Sequence, residues 1–105
     1  MRIKLFESEQ KVMEAVPIGT IKKLTVKGRQ FVIAHSGKGL VVADALCPHM
    51  NEPLHKGKLN AFNQIICPLH EYRFDLETGA ESDDRCNRLQ IFQIEIESDG
   101  VYLII

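Results

Sequence analysis

No apolar run in the sequence approaches the roughly 20 residues that a membrane-spanning helix needs. No basic cluster stands out, and the net charge is −1, so nucleic acid and acidic membrane surfaces lack the electrostatic footprint that would recruit them. Cysteine is scarce: three residues make no even-numbered disulfide framework. Internal repeats, low-complexity tracts and linkers are absent. No glycine-rich nucleotide loop follows a strand, and no second set of metal ligands is in sight, so the chain is not expected to oxidise a substrate alone. The segment Met1–Glu7 breaks to charge too soon for the apolar region of a signal peptide. The expectation is a soluble cytoplasmic protein. Its 105 residues suffice for one domain, 1–105, with one modest core.

What is present is mostly β pattern. Ile3 to Glu7 alternates apolar and charged positions, as a half-buried strand does. Ser8 is placed to cap a short helical turn through Val16, which Pro17 then stops. Ile21, Leu24 and Val26 lead into Lys27-Gly28, a two-residue hairpin turn, and Arg29 to Ala34 returns. After the turn Ser36–Gly39, Leu40–Ala43 is apolar on both faces, which predicts a central strand. Gln64–Ile66, Tyr72–Asp75, Leu89–Ile96 and Val101–Ile105 complete the set. Between residues 47 and 67 no helix-length pattern appears. The predicted class is all-β, an antiparallel sandwich of roughly eight or nine short strands. A subdomain of loops and short strands, about residues 45–85, is inserted into it.

Two of these strands end just before matching groups of soft donors. The first leads to Cys47-Pro48-His49 and the second, after seventeen further residues, to Cys67-Pro68-Leu69-His70. Two thiolates and two imidazoles suit zinc or an iron–sulfur cluster. A zinc ion would take all four in one closed tetrahedron, making a structural β interaction module. A [2Fe–2S] cluster would divide them, thiolates on one iron and imidazoles on the other. Pairing Cys47 or Cys67 with a histidine as a hydrolase nucleophile fits poorly, because neither pair is preferred and no oxyanion donor is evident.

The pattern Cys-x-His, seventeen residues, Cys-x-x-His resembles the cluster-binding motif of Rieske [2Fe–2S] proteins. Glu52-Pro53-Leu54 and Phe74–Gly79 extend the likeness, as does the β frame, so it covers essentially the whole chain. The resemblance implies one [2Fe–2S] cluster with Cys47 and Cys67 on an inner iron and His49 and His70 on an outer one. It implies a Rieske-like sandwich and an electron-transfer role without catalysis. The chain would accept an electron from a reductase and pass it to an oxygenase or related redox enzyme. A nitrite-reductase-like small subunit is the alternative within the class.

Departures from the family pattern carry expectations of their own. High-potential relatives join the loops by a disulfide whose positions here are Glu52 and Leu69, so no such bridge can form, and without the cluster a partly folded apo-protein with residues 47–70 disordered is expected. The relatives' serine and tyrosine, whose hydroxyls bond cluster and ligand sulfurs, are replaced by Tyr72 and Phe74, which implies a low potential. Glu71 replaces a frequent glycine, with an altered loop backbone expected. The third loop, Glu81–Arg88, lacks the family's proline and predicts a looser cover. Cys86 reads as a small core residue, His35 and His55 as surface or loop histidines, and the run Glu81–Asp84 as a solvated acidic loop.

Overall fold

The computed structural model describes residues 1–105. Nine strands, one short helix and a 3₁₀ turn (Leu54–Lys56) make up the chain: β1 (Arg2–Phe6), α1 (Glu9–Ala15), β2 (Ile21–Val26), β3 (Arg29–Ser36), β4 (Gly39–Asp44), β5 (Lys58–Leu59), β6 (Gln64–Ile66), β7 (Arg73–Asp75), β8 (Ile91–Glu97) and β9 (Gly100–Ile104). A six-stranded antiparallel sheet runs β1-β9-β8-β4-β3-β2, and a three-stranded sheet runs β5-β6-β7. The large sheet is two three-stranded halves, joined where β4 meets β8 at only Val42–Phe92 and Ala43–Ile91. It curls there, as the sandwich prediction requires.

Local chemistry explains the elements. Ser8 holds an extended backbone (φ −158°, ψ 162°) and its hydroxyl accepts from the Lys11 N–H at 3.2 Å, so α1 starts where predicted. The β2–β3 turn places both Lys27 (φ 51°) and Gly28 (φ 82°) in the left-handed region, the conformation that matches strand twist in a two-residue hairpin. β4 is central, between β3 and β8. The 3₁₀ turn and β5 escape the sequence because two or three residues carry too little periodicity. Strand β8 starts at Ile91 rather than Leu89, because the Leu89 N–H donates instead to the Gly79 carbonyl at 2.8 Å.

The β3–β4 hairpin is the wall between two cores. Its register pairs Ile33 with Val42 and Val32 with Ala43. Since neighbouring side chains point to opposite faces, Phe31, Ile33 and Val42 enter a frame core with Val12, Val16, Phe92, Val101 and Leu103. Val32 and Ala43 enter the other core with Cys47, Leu54, Ile65, Cys67, Phe74, Leu76 and Leu89. This is why β4 is apolar on both faces. Both motif cysteines therefore rest on a floor that the frame supplies.

His35 departs from its sequence reading. It lies in β3, half-buried, with Nδ1 2.8 Å from the Val16 carbonyl. A carbonyl only accepts, so Nδ1 carries the proton and ties the strand to the end of α1.

Candidate metal centre

The two motif loops are built alike. In the first, the Cys47 N–H donates to the Glu52 carbonyl at 2.9 Å and the Asn51 N–H to the Cys47 carbonyl at 2.8 Å. In the second, the Cys67 N–H donates to the Tyr72 carbonyl at 2.8 Å. Each loop thus closes on the residue five beyond its cysteine. Such tight closure needs left-handed backbone, and Asn51 (φ 56°), His70 (φ 64°) and Glu71 (φ 55°) supply it. Glu71 adopts a conformation that glycine would enter freely, at a cost of about 1 kcal/mol. The loop closes with Glu71 in place, its side chain exposed.

The structure brings all four motif residues together, in two pairs. Cys47 and Cys67 are both 0% exposed and lie in one core cluster. Burial pushes the Cys67 thiol up, and the Cys47 sulfur beside it adds to the shift. Nearer the surface, the His49 and His70 rings lie 5.6 Å apart between centroids. His70 is exposed and His49 is half-buried. The His49 Nδ1 atom is buried and has no hydrogen-bond partner. A buried polar atom without a partner is costly, and a metal ion is one group that would satisfy it. Two sulfurs below and two imidazoles above fit a two-iron cluster better than a single tetrahedral ion.

Sequence reasoning missed how the rim is held. The Tyr72 ring stacks on His49 at 3.8 Å between centroids and 12° between planes. The Arg85 guanidinium carbon lies 3.8 Å over the other ring system, that of Tyr72. As expected from Glu52 and Leu69, no disulfide joins the loops; Tyr72 of the second loop packs instead on His49 of the first. The signal in the sequence was an aromatic where relatives carry a small hydroxyl residue.

The third loop also differs from expectation. Ser82, Asp83 and Asp84 are exposed, but Glu81 is buried. Its carboxylate accepts from the backbone N–H groups of Asp83 (3.1 Å) and Arg85 (2.9 Å), the Ser82 hydroxyl (3.1 Å), and the Arg85 guanidinium (3.1 and 2.7 Å). The loop is also sewn to β7 by Ser82 N–H to Arg73 carbonyl (2.9 Å) and Asp75 N–H to Ala80 carbonyl (2.9 Å). The loop that lacks a proline is thus held by a buried carboxylate. Cys86 is half-buried against the motif core, in line with its reading as a core residue.

Arg85 leads the causes that hold the Glu81 carboxyl at about 2, below its ordinary 4.5. A depressed carboxyl stabilises the fold fully above pH 4.5 and loses that contribution as pH falls towards 2. Because Arg85 is 40% exposed, solvent screening cuts the contribution to about 1–2 kcal/mol. Glu81→Gln should therefore be less stable than the parent by that amount at pH 7. The difference should shrink between pH 4.5 and 2, as read by denaturant unfolding of both proteins. A gap unchanged down to pH 2 would show that the loss at neutral pH is steric.

Comparison with known proteins places these features in context. The family model of the Rieske [2Fe–2S] domain matches residues 8–93. The ferredoxin component of the naphthalene 1,2-dioxygenase system of Pseudomonas aeruginosa is 28% identical over 89 residues, covering 84% of this chain and 85% of that protein. Among solved structures, the Sphingomonas yanoikuyae B1 ferredoxin superposes with a TM-score of 0.77 at 25% identity, over 97% of this chain and 98% of that one. A protein named for the small subunit of an NADPH nitrite reductase superposes with a TM-score of 0.82 over 100% of this chain and 99% of that one, at 14% identity, a likeness of fold alone. The chain also matches cholesterol 7-desaturases of Ciona intestinalis (36% identical over 54% of this chain) and Xenopus laevis (33% over 70%), but spans only 12% and 15% of their lengths.

Proposed function

This chain belongs to the Rieske [2Fe–2S] domain family, and from that premise we propose that it is a one-electron carrier linking a reductase to a terminal oxygenase or related redox enzyme. Cys47 and Cys67 would hold the inner iron, and His49 and His70 the outer one. When bound, the cluster supplies reversible uptake of a single electron. The single observation that carries the reading is the paired donor arrangement. Two buried sulfurs lie beneath two imidazoles nearer the surface, and one imidazole has a buried nitrogen with no protein partner.

The chain's own residues do the rest. The Cys47 and Cys67 backbone closures set the donor positions. The apolar floor of Leu54, Ile65, Phe74 and Leu89 keeps water from the sulfurs. Exposed Leu46 and Met50 flank the first loop and offer partner proteins an apolar rim. We read residues 1–105 as a single domain, with residues 45–85 as its cluster-binding part. No helix is long and apolar enough to cross a membrane, and we assign the carrier to the cytoplasm. It has no catalytic residues of its own in this reading. A nitrite-reductase small-subunit role would keep the same carrier chemistry and change only the partner. Titration with a reductase and an oxygenase, followed by substrate turnover, separates the two.

Anaerobic purification tests the core of the proposal. A red-brown protein with two irons per chain and a rhombic EPR signal on reduction is expected. A colourless protein with stoichiometric zinc overturns it in favour of a structural module.

The potential follows from the surroundings of the sulfurs. Phe74 is fully buried and has no hydroxyl, Tyr72 lies flat on His49, and Arg85 is paired with Glu81 rather than left as a free cation. Fewer donors to sulfur leave the added electron less stabilised. The expected midpoint is at the low end of the Rieske range, about −150 mV. Protein-film voltammetry returning a value well above zero would contradict this account.

A further inference from the structure

Three layers stand in a column beside the candidate cluster site: the His49 imidazole, the Tyr72 phenol ring and the Arg85 guanidinium. The successive spacings are 3.8 Å and 3.8 Å, and the two rings are 12° from parallel. Glu81 anchors the far end through both carboxylate oxygens, and its own side chain is 0% exposed. The near end is also fixed, because the Tyr72 carbonyl accepts the Cys67 N–H that closes the second loop. One residue therefore closes its own loop with its backbone and covers the other loop's histidine with its ring. His70 has no comparable cover: it is exposed, its ring is tilted 55° to that of His49, and no aromatic ring is stacked on it.

We propose that Tyr72, braced by Arg85 and Glu81, is a positioning residue that fixes the ring plane of His49 and makes the two histidines unequal, leaving His70 as the exposed edge through which electrons pass. The inference rests on the proposed cluster-binding role of these four residues. Three observations carry it. Stacking on a flat ring restricts rotation about the imidazole's side-chain bonds, which a hydrogen bond at one atom does not. The guanidinium on the outer face adds a cation–π contact, so the phenol is held from both sides. A buried, fully hydrogen-bonded carboxylate keeps the guanidinium in register, and a bidentate fork permits little sliding. The two motif loops share no disulfide, since all three cysteines are free. The column is then a non-covalent brace between them.

Full-length holoprotein carrying Tyr72→Phe, Tyr72→Ala or Arg85→Met provides the test. The readouts are the reduced-state EPR g-values with nitrogen hyperfine couplings from ¹⁵N-labelled histidine, and the rate of chelator-driven cluster loss. Tyr72→Phe keeps the ring and should match the parent in both. Tyr72→Ala should broaden the g-features, change the coupling of one histidine and leave the other's unchanged. It should also lose the cluster roughly tenfold faster, the loss expected of a stacked contact of this kind. Arg85→Met should shift the same histidine's coupling by a smaller amount. A Tyr72→Ala spectrum superimposable on the parent overturns the proposal, as does an equal change at both histidines. If Tyr72→Ala fails to take up a cluster, Arg85→Met decides: a shift at one histidine supports the brace and a parent-like spectrum overturns it. A parent protein with no Rieske signal at all would instead remove the cluster-binding reading on which the brace depends.

Discussion

Cys67→Ser is expected to abolish cluster binding while leaving most of the β frame folded. The sulfur of Cys67 is fully buried beside that of Cys47 and forms half of the deeper donor pair. Serine is nearly the same size, so the site keeps its shape. Its hydroxyl is a hard donor that holds its proton, where a soft thiolate is needed. Iron content should fall from two per chain to below about one tenth of that, with loss of visible colour and of the reduced EPR signal. Burying a hydroxyl in place of a thiol should also cost about 1–3 kcal/mol. The frame core of Val12, Val16, Phe31, Ile33, Val42, Phe92, Val101 and Leu103 contains neither cysteine. Far-UV circular dichroism should therefore remain β-rich. Retention of two irons by the variant would mean that Cys67 is not a ligand, and the donor assignment would have to be rebuilt.

Gly79→Ala is expected to be the most damaging single-methyl change for folding. Gly79 sits at φ +80°, and an added Cβ would lie 1.8 Å from the Leu89 carbonyl oxygen. That neighbour is backbone and cannot rotate away. The same pair is bonded, because the Leu89 N–H donates to the Gly79 carbonyl at 2.8 Å. Leu89 itself is buried in the core under the motif cysteines. A methyl at residue 79 must therefore push the start of β8 away from β7 and open the third loop. The backbone strain and the displaced contact together should cost about 3 kcal/mol or more. For a domain of this size that lowers Tm by about 12 °C or more. Gly37→Ala is the control: nothing lies within 4 Å of its added Cβ and its φ is not in the positive region. It should stay within about 0.5 kcal/mol of the parent. Equal Tm values for the two variants would show that β8 yields more easily than its bonding suggests.

The site was legible in the sequence to the extent that donors are local. Cys47, His49, Cys67 and His70 are read from identity and spacing, and the two loops that carry them need only short closures. Part of the β frame is legible too: alternation along β1, β7 and β8 marks them as strands. The sharper error concerns the third loop. Glu81 looks like one member of a solvated acidic run, yet it is buried, because Arg85 four residues on folds back to pair with it. Neighbouring acids of one chemical type have opposite fates here, and composition does not separate them. His35 is similar: nothing in its immediate sequence shows that the end of α1 will place the Val16 carbonyl beside it.

The sequence by itself determined the chemistry available: which atoms are soft donors, where they fall relative to strand ends, and which hydroxyls and cysteines of related proteins are missing. These are properties of residue type and order, and they survive in any conformation. The tertiary structure places the donors as the resemblance implied, a buried sulfur pair and a pair of imidazoles nearer the surface. It alone made the histidines unequal, with His49 beneath Tyr72 and His70 in solvent. The reason is distance along the chain. His49, Tyr72, Arg85 and Glu81 come from three separate loops, and their contacts exist only after the β3–β4 wall and the β5–β6–β7 sheet have brought those loops to one edge.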